Sequence, residues 1–245
     1  MKIGILITAR LKSTRLKEKV LKPILGRPML HYMVERLRLA QRPSEIVICT
    51  STIGQDDRLC EFAQAEGIRC FRGDPDDVLF RMLSAAEAFD VDTIVSCTAD
   101  NPFVDPVYID KLVDFHLAGD FDFSRIEGLP FGTFSYALKR DAIKKACEIK
   151  DEVDTEVWGG YFTQTGLFKC GVLEVVDSNV KWPELRLTVD TQEDFDMISE
   201  IFAKLYNSNS TFSLEEIVQL CRDNPELVAL NSSVKQKVSL PIKLK

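Results

Sequence analysis

Length, composition and charge narrow the classes of protein to which this chain can belong. Its 245 residues are 45% hydrophobic, enough for a full core, and α/β domains of this length are commonly single units. The formal net charge of −7 argues against general nucleic-acid binding, because a phosphate backbone is held by a net basic surface. No stretch approaches the roughly 18 consecutive apolar residues that span a bilayer, so no membrane segment is expected.

The cysteines and the N-terminus indicate a cytoplasmic protein. The seven cysteines are scattered through apolar segments without a CxxC pair, so we expect buried free thiols in a reducing compartment and no zinc site. The apolar run from Ile3 to Ile7 directly follows Met1 and Lys2, and it is too short for a signal peptide.

Short apolar runs rich in β-branched residues alternate with segments of helical period along the chain. This alternation is typical of βα units and of a mainly parallel sheet that is buried on both faces. The predicted strands are Ile3 to Thr8, Glu45 to Thr50, Ile68 to Arg72, Thr93 to Thr98, Phe121 to Ser124, Phe134 to Leu138, Phe168 to Leu173 and Leu185 to Val189.

Apolar residues at helical spacing predict helices between these strands. The predicted helical segments are Leu30 to Leu37, Leu59 to Ala63, Val78 to Phe89, Ile109 to Val113 and Ser213 to Arg222. Gly67 is expected to end the second as a left-handed C-cap, and Asp105 with Pro106 to begin the fourth. Ser213 and Glu216 have the spacing of a capping box.

The loop after the first strand is the densest basic segment of this acidic chain. From Arg10 to Arg27 there are seven Lys or Arg and one acid. Ligands of open α/β sheets bind outside the carboxyl ends of the strands, so this loop is placed to neutralise a triphosphate. The loop has no glycine before Gly26, which disfavours a P-loop NTPase or a nicotinamide-binding Rossmann enzyme.

Two acids follow predicted strands at the same edge of the sheet. Asp100 comes just after the strand that ends at Thr98, and Asp190 comes just after Val189. Mg²⁺ is a hard cation that takes one or two carboxylates together with phosphate oxygens. The two acids and the basic loop therefore predict a magnesium and phosphate site.

Several motifs resemble those of a known family. They are Ala9-Arg10-x-x-Ser13-Thr14-Arg15-Leu16-x-x-Lys19-Val20-Leu21 with Gly26-x-Pro28-Met29-Leu30, Phe71-Arg72-Gly73 with Asp76-Asp77-Val78-Leu79, Asp100-x-Pro102 with Asp105-Pro106, Arg186-Leu187-Thr188-Val189-Asp190-Thr191-x-Glu193-Asp194-Phe195, and the closing Asn224-Pro225-Glu226-Leu227, Asn231 and Gln236-Lys237. Together they resemble cytidylyltransferases of the CMP-KDO synthetase, acylneuraminate cytidylyltransferase and spore-coat-polysaccharide type, over nearly the whole chain.

The resemblance implies a fold and a division of the chain. The fold would be a single α/β, Rossmann-like nucleotidyltransferase domain over residues 1–245, with a mainly parallel mixed sheet flanked by helices. Residues 1–120 would form the nucleotide-binding half, 121–190 the acceptor-binding part, and 191–245 the C-terminal helices and tail. The implied partners are CTP and a small sugar-like acceptor, with Mg²⁺ as cofactor, and a homodimer is compatible with this family.

The resemblance also assigns residues to roles. Arg10, Arg15, Lys19 and Lys22 would hold the nucleotide triphosphate, and Ser13 with the backbone at Ala9 would seat the phosphates or the base. The metal ligands would be Asp100 and Asp190. Arg10, Arg15, Lys19, Asp100 and Asp190 form the expected catalytic set. An acceptor oxygen would attack the α-phosphorus of CTP in line, and pyrophosphate would leave.

The chain departs from the family pattern in two places. Lys17-Glu18 replaces Pro-Gly after Arg-Leu, which changes the stiffness of the loop but keeps its basic positions. The acceptor region has Gly132-Thr133-Phe134-Ser135-Tyr136 and Glu152-Val153-Asp154-Thr155 where relatives carry acids and a Glu-His-Val-Thr run. We therefore expect a rebuilt acceptor pocket. Trp158 and Trp182 are expected to pack, with a lid over the acceptor as the alternative.

Two other functions stay open on the sequence alone. One is a sugar-1-phosphate nucleotidyltransferase that uses another nucleoside triphosphate, because the fold does not determine the base. Such enzymes commonly open with a glycine-rich loop, which this chain lacks. The other is a non-catalytic nucleotide-binding module, which the presence of both acids and the four basic positions disfavours.

Overall fold

A seven-stranded sheet runs through the centre of the computed structural model, which describes residues 1–206, 212–236 and 242–245. The strands are β1 (Ile3–Thr8), β2 (Pro23–Ile24), β3 (Arg27–Pro28), β4 (Glu45–Ser51), β5 (Arg69–Gly73), β6 (Thr93–Thr98), β7 (Phe123–Glu127), β8 (Tyr136–Lys139) and β9 (Cys170–Glu174). β2 and β3 form a separate hairpin, and the others follow the spatial order β5-β4-β1-β6-β8-β7-β9.

All strands of the large sheet point the same way except β8, which is antiparallel to both of its neighbours. β1 lies between β4 and β6, with Ile5 opposite Ile46 on one side and Val95 on the other. The carboxyl ends of β1, β4, β5 and β6 therefore meet at one edge. This arrangement confirms the predicted mainly parallel, mixed α/β sheet.

Helices cover both faces of the sheet. They are α1 (Met29–Leu37), α2 (Asp57–Ala65), α3 (Val78–Ala88), α4 (Pro106–Ala118), α5 (Arg140–Ile149), α6 (Gly160–Thr163), α7 (Gln192–Leu205), α8 (Leu214–Asp223) and α9 (Pro225–Ala229). Successive β1 residues pack on opposite faces, as a strand requires: Ile5 and Ile7 lie in the core under α1, α4 and α7, and Leu6 in the core under α3 and α5. The result is three layers.

The predicted helix ends agree with the structure. The Asp105 carboxylate caps α4 by accepting a hydrogen bond from the Tyr108 amide, with Pro106 at the first helical position. Gly67 follows α2 with φ +67°, the left-handed conformation that glycine adopts without a steric penalty. Ser213 and Glu216 form the capping box that begins α8. Local side-chain chemistry therefore sets these boundaries.

Two expectations from the sequence are wrong. The segment from Leu185 to Val189 is not a strand, and its only β-bridge among the described residues joins Arg186 to Phe131. Its apolar residues are buried in the same core cluster as residues of α1, α4 and α7, and burial alone makes such a run look like a strand. The cysteines are not all free thiols, because Cys60 on α2 and Cys70 on β5 form a disulfide.

The described helices are all too short or too polar to cross a bilayer. The weak periodicity of the tail from Asn231 to Lys245 predicts a surface strand or a loose segment. Lys237 and its neighbours up to position 241 lie outside the described residues, and Leu244 beyond them pairs with Lys150 in an antiparallel bridge.

Candidate functional site

A cavity of about 310 Å³ opens at the carboxyl ends of β1 and β6, and we call it the first cavity. The loop after β1 forms one wall, and the turn after β6 forms another. Further walls come from the start of α3 and from residues 150–158, which we call the 150–158 loop. The charged lining residues are Arg10, Lys12, Arg15, Lys19, Asp76, Arg81, Asp100, Asp154, Glu156 and Asp190.

Apolar anchors hold the basic loop against the sheet. Leu11, Leu16 and Val20 are buried in the core, and the Leu11 amide donates to Asp56 Oδ1 at 2.8 Å. Between these anchors, Lys12, Arg15 and Lys19 line the cavity, whereas Lys17 lies outside its lining. Glu18, which stands where the family has glycine, still adopts φ +50°. The loop keeps its left-handed turn without the residue that favours it most.

Lys19 joins the two acids that the sequence singled out. Its Nζ lies 2.9 Å from Asp100 Oδ2 and 2.9 Å from Asp190 Oδ1, and it donates to the Val189 carbonyl at 2.7 Å. Arg15 Nη2 also lies 2.9 Å from Asp190 Oδ1. The structure thus brings the expected basic residues and both carboxylates together.

Backbone hydrogen bonds bring the two acids to the same place. The Ala99 amide donates to the Thr8 carbonyl at 3.0 Å, which extends the pairing of β1 and β6 past their ends. The Val189 amide then donates to the Asp100 carbonyl at 2.9 Å. The segment before α7 is therefore bonded directly to the turn that carries Asp100, although it is not a strand.

A buried ion pair between Arg186 and Asp194 holds the Asp190 carboxylate in place. Arg186 Nε lies 2.8 Å from Asp194 Oδ1, and Arg186 Nη2 lies 3.0 Å from Asp190 Oδ2. The Asp194 side chain is fully buried, and it accepts from the Asp190 amide at 2.9 Å and from Asn231 Nδ2 at 2.9 Å. This network determines the direction in which the Asp190 carboxylate points, because its second oxygen is already held by Arg186.

The charges of the site reinforce one another. Burial would lower the pKa of the Lys19 ammonium, but the carboxylates of Asp100 and Asp190 outweigh it and raise that pKa. Burial would likewise raise the pKa of Asp190, but Lys19, Arg15 and Arg186 lower it. Both groups are therefore charged at neutral pH, and the site carries anions and cations side by side.

A second cavity of about 420 Å³ adjoins the first. Its walls carry both aromatic and polar side chains, and they come mainly from residues 96–101, 123–136 and 156–164. The aromatic lining residues are Phe123, Phe131, Phe134, Tyr136 and Trp158, and the polar side chains include Asn101, Arg125, Glu156, Thr163, Gln164 and Gln236. Thr98, Glu156 and Trp158 line both cavities.

Gly132 allows the wall of the second cavity to approach the site of Asp190. It has φ +97°, and a Cβ at this position would lie 2.7 Å from the Thr188 amide nitrogen and 2.8 Å from the Leu187 carbonyl carbon. Only glycine fits both the conformation and the contact. The loop that carries Phe131 can therefore lie against the segment that leads to Asp190.

The structure places most, but not all, of the expected site residues at the first cavity. Ala9, Arg10, Ser13, Arg15, Lys19, Asp100 and Asp190 line it. Lys22 does not belong to this lining: its Nζ lies 3.3 Å from Gln192 Oε1 and 4.8 Å from the centre of the Phe195 ring. The cation–π contact holds Lys22 against the first turn of α7.

Sequence reasoning missed several residues of the site. Arg186 and Asp194 belong to a motif that carries the family resemblance, but the sequence assigned them no role. The available signal was the four-residue spacing between Asp190 and Asp194, together with the capping box that Thr191 and Asp194 form at the start of α7. Glu156 and Arg125 had no signal, because Glu156 lies on the 150–158 loop and Arg125 on β7, and no local pattern links the two.

The donor set at the first cavity fits a magnesium ion. In the part of the chain that the structure describes, no group of three or more Asp, Glu, His or Cys could hold a metal. Asp100 and Asp190 nevertheless each direct one oxygen at the same cation, the Lys19 ammonium. Two carboxylates around one cationic position match Mg²⁺ sites that substrate phosphates complete.

Comparisons with known proteins identify the family of this chain. The cytidylyltransferase family model matches residues 4–237. An uncharacterized protein of Methanocaldococcus jannaschii is 32% identical over 239 residues, 97% of each chain. The spore coat polysaccharide biosynthesis protein SpsF of Bacillus subtilis is 30% identical over 228 residues, 90% of this chain and 94% of SpsF. The solved structure of a cytidylyltransferase from Leptospira borgpetersenii superimposes with a TM-score of 0.85 at 27% identity, covering 98% of this chain and 100% of that one.

Proposed function

This chain belongs to the cytidylyltransferase family and is a nucleotidyltransferase, and we propose that it transfers CMP from CTP to a sugar or polyol derivative. The observation that carries the proposal is the convergence of Lys19 on Asp100 and Asp190 beneath the basic loop. A polysaccharide biosynthesis protein among the relatives supports an acceptor from surface-glycan synthesis.

The first cavity is the proposed site of the triphosphate. Arg10, Arg15 and Lys19 line it as separate cations, so they can contact different phosphate oxygens. Ser13 and the backbone at Ala9 lie on the same wall, where they can seat the phosphates or the base. Lys22 would join them only if its side chain left the Phe195 ring.

Asp100 and Asp190 are the proposed ligands of Mg²⁺. When bound, the ion supplies positive charge that polarises the phosphate oxygens of the substrate. Lys19 now holds the position between the carboxylates, so it would have to turn towards the phosphates as the ion binds. Arg186 and Asp194 keep Asp190 oriented during this exchange, because their contacts lie on its far side.

The second cavity is the proposed acceptor site. It joins the first at Thr98, Glu156 and Trp158, so an acceptor hydroxyl placed there faces the α-phosphate of a nucleotide in the first cavity. In-line attack would then expel pyrophosphate towards the basic loop, and positioning and charge would supply most of the rate.

The composition of the second cavity suggests which acceptors it takes. Its only described basic side chain, Arg125, pairs with Glu127 through Nη2, so its buried Nε, which has no hydrogen-bond partner, is a basic donor left for an acceptor carboxylate. A site that offers too few partners rejects ligands that need more, at a cost of about 1 to 3 kcal/mol for each unpaired group. We therefore propose weak use of KDO and sialic acid, and better use of less acidic sugars or polyol derivatives.

A nucleotide-by-acceptor matrix tests this function. Pyrophosphate release is measured with Mg²⁺ for CTP, UTP, GTP and ATP against KDO, sialic acid, neutral sugars, polyols and polyol phosphates. We expect CTP to be selected and the acidic sugars to be poor acceptors. A preference for UTP or GTP would contradict the nucleotide assignment, and rapid turnover of KDO or sialic acid would contradict the acceptor assignment.

A further inference from the structure

Glu156 occupies the junction of the two cavities. It is one of three residues that line both, and it is the only acid among them. In the proposed reaction this junction is where the acceptor oxygen must meet the α-phosphorus. A carboxylate there lies next to the group that has to lose a proton.

The other acids that line the first cavity are already engaged. Asp76 pairs with Arg10, while Asp100 and Asp190 pair with Lys19. Asp154 Oδ1 accepts from the Glu156 amide at 3.1 Å. Within the described ranges, the carboxylate of Glu156 itself has neither an ion pair nor a hydrogen bond. It is therefore free to accept a proton from a ligand.

The residues on both sides of Glu156 are fixed. Thr155 is buried, its amide donates to the Asp76 carbonyl at 3.2 Å, and its hydroxyl donates to Asp77 Oδ1 at 3.0 Å. Lys150 Nζ pairs with the other oxygen of Asp77 at 2.5 Å. These contacts tie the 150–158 loop to the start of α3.

Trp158 anchors the other side of the loop. Its ring is buried and makes edge-to-face contacts with Tyr136 and Phe162, with ring centres 5.5 and 5.8 Å away. The expected packing role and a place in the wall of the acceptor cavity are thus combined in one side chain. With anchors one residue before it and two residues after it, Glu156 keeps its place at the junction without a strong partner of its own.

We propose, resting on the function proposed above, that Glu156 is a catalytic residue that accepts the proton of the acceptor hydroxyl. The hydroxyl oxygen forms a bond to the α-phosphorus of CTP, and its proton moves to the Glu156 carboxylate. The bond between the α-phosphorus and the oxygen that bridges to the β-phosphate breaks, and pyrophosphate leaves with that electron pair. Glu156 then returns the proton to water.

Glu156→Gln tests this role, because it keeps the size of the side chain but removes its basicity. With CTP, Mg²⁺ and the acceptor that turns over fastest in the matrix, we expect kcat to fall about 10²-fold, within the usual range for a general base. CTP affinity measured by calorimetry should stay at the wild-type value. Glu156→Asp, which retains a carboxylate, should recover part of the rate. Glu61→Gln, an exposed acid on α2 outside both cavities, is the matched control and should match the wild type.

A fluorinated acceptor distinguishes a role of Glu156 in proton transfer from a purely structural role. Fluorine beside the attacking hydroxyl makes that hydroxyl more acidic, so the reaction depends less on a base. The difference in kcat between wild type and Glu156→Gln should therefore be smaller with the fluorinated acceptor. An unchanged gap, or a Glu156→Gln kcat close to wild type, would overturn the role of Glu156 and leave CTP transfer intact. A wild-type chain that releases no pyrophosphate from CTP with any acceptor would overturn the proposed function itself, and this role with it.

Discussion

The two cavities are built from different chemistry. In the first, cations and carboxylates are held by ion pairs and backbone hydrogen bonds, with Lys19 and Asp190 at the centre. In the second, five aromatic rings line the wall, together with two charged side chains, Arg125 and Glu156. A site for a highly charged ligand needs fixed charges, whereas a site for a sugar-like ligand needs shape and a few hydrogen bonds. The first should therefore be sensitive to loss of charge and the second to loss of shape.

The largest effect is expected at Asp194, the buried acid behind the first cavity. Asp194→Asn removes the charge that holds Arg186, and breaking a buried pair in this way costs about 3 to 5 kcal/mol. Urea unfolding of the variant and the wild type at neutral pH measures this loss. A difference below about 1 kcal/mol would show that the network behaves like a surface pair.

The same variant should change the response of the protein to acid. Burial would raise the pKa of Asp194, but Arg186, the Asp190 amide and Asn231 lower it in the folded state. Its stabilising contribution is therefore present above the unfolded value of about 4 and is lost as the pH falls through the lower folded pKa. The difference in stability between wild type and Asp194→Asn should shrink below about pH 4. If the stability difference between the two proteins stays constant with pH, the stabilisation does not come from the ionised Asp194 carboxylate.

Loss of either proposed metal ligand should have the next largest effect. Asp100→Asn is expected to lower turnover about 10²-fold or more, the usual cost of losing a charge-stabilising group, while the melting temperature stays close to wild type. Asp190→Asn should lose as much activity and also some stability, because Lys19, Arg15 and Arg186 lose their shared partner. Pyrophosphate release and thermal melting give the two readouts. A near-normal rate in either variant would remove that acid from the site.

A smaller effect is expected at the rim of the first cavity. Arg15→Ala should weaken CTP binding about tenfold, or ~1.4 kcal/mol, because one charged hydrogen bond to a phosphate is lost. Lys17→Ala removes an equal charge from the same loop but outside the lining, so it is the matched control. An uncharged acceptor analogue should bind both variants as it binds the wild type. If calorimetry shows equal CTP affinities for both variants, the basic loop acts only through its overall charge.

The smallest effect is expected in the second cavity. Tyr136 stacks on Phe123 and meets Phe134 and Trp158 edge to face, so Tyr136→Phe keeps the wall and removes only a hydroxyl. The KM for the acceptor should rise several-fold, or about 1 kcal/mol, without a change in the KM for CTP. Equal changes in both constants would show that the two cavities are not functionally separate.

The sequence predicted the first cavity much better than the second. The basic loop and Asp100 belong to local patterns at strand ends, and parallel strands bring their carboxyl ends together by geometry alone. Asp190 was placed correctly for a partly wrong reason, since the segment before it is not a strand. It reaches Asp100 through the Val189 amide and the space that Gly132 leaves open.

The second cavity depends on contacts between distant parts of the chain. Arg125, Glu156 and Gln236 come from a strand, a loop and the C-terminal segment, and no local pattern links them. The Cys60–Cys70 disulfide was missed for a similar reason, because the distance between two cysteines follows from how α2 packs beside β5. Composition predicted free thiols, and it could not show that two of the cysteines meet.

The most direct measurement is the crystal structure of this protein with CTP and Mg²⁺. The proposed function predicts the triphosphate in the first cavity, in contact with Arg10 and Arg15, and a cation between Asp100 and Asp190 with Lys19 turned towards the phosphates. A nucleotide bound elsewhere, or Lys19 still between both carboxylates with the nucleotide in place, would contradict it.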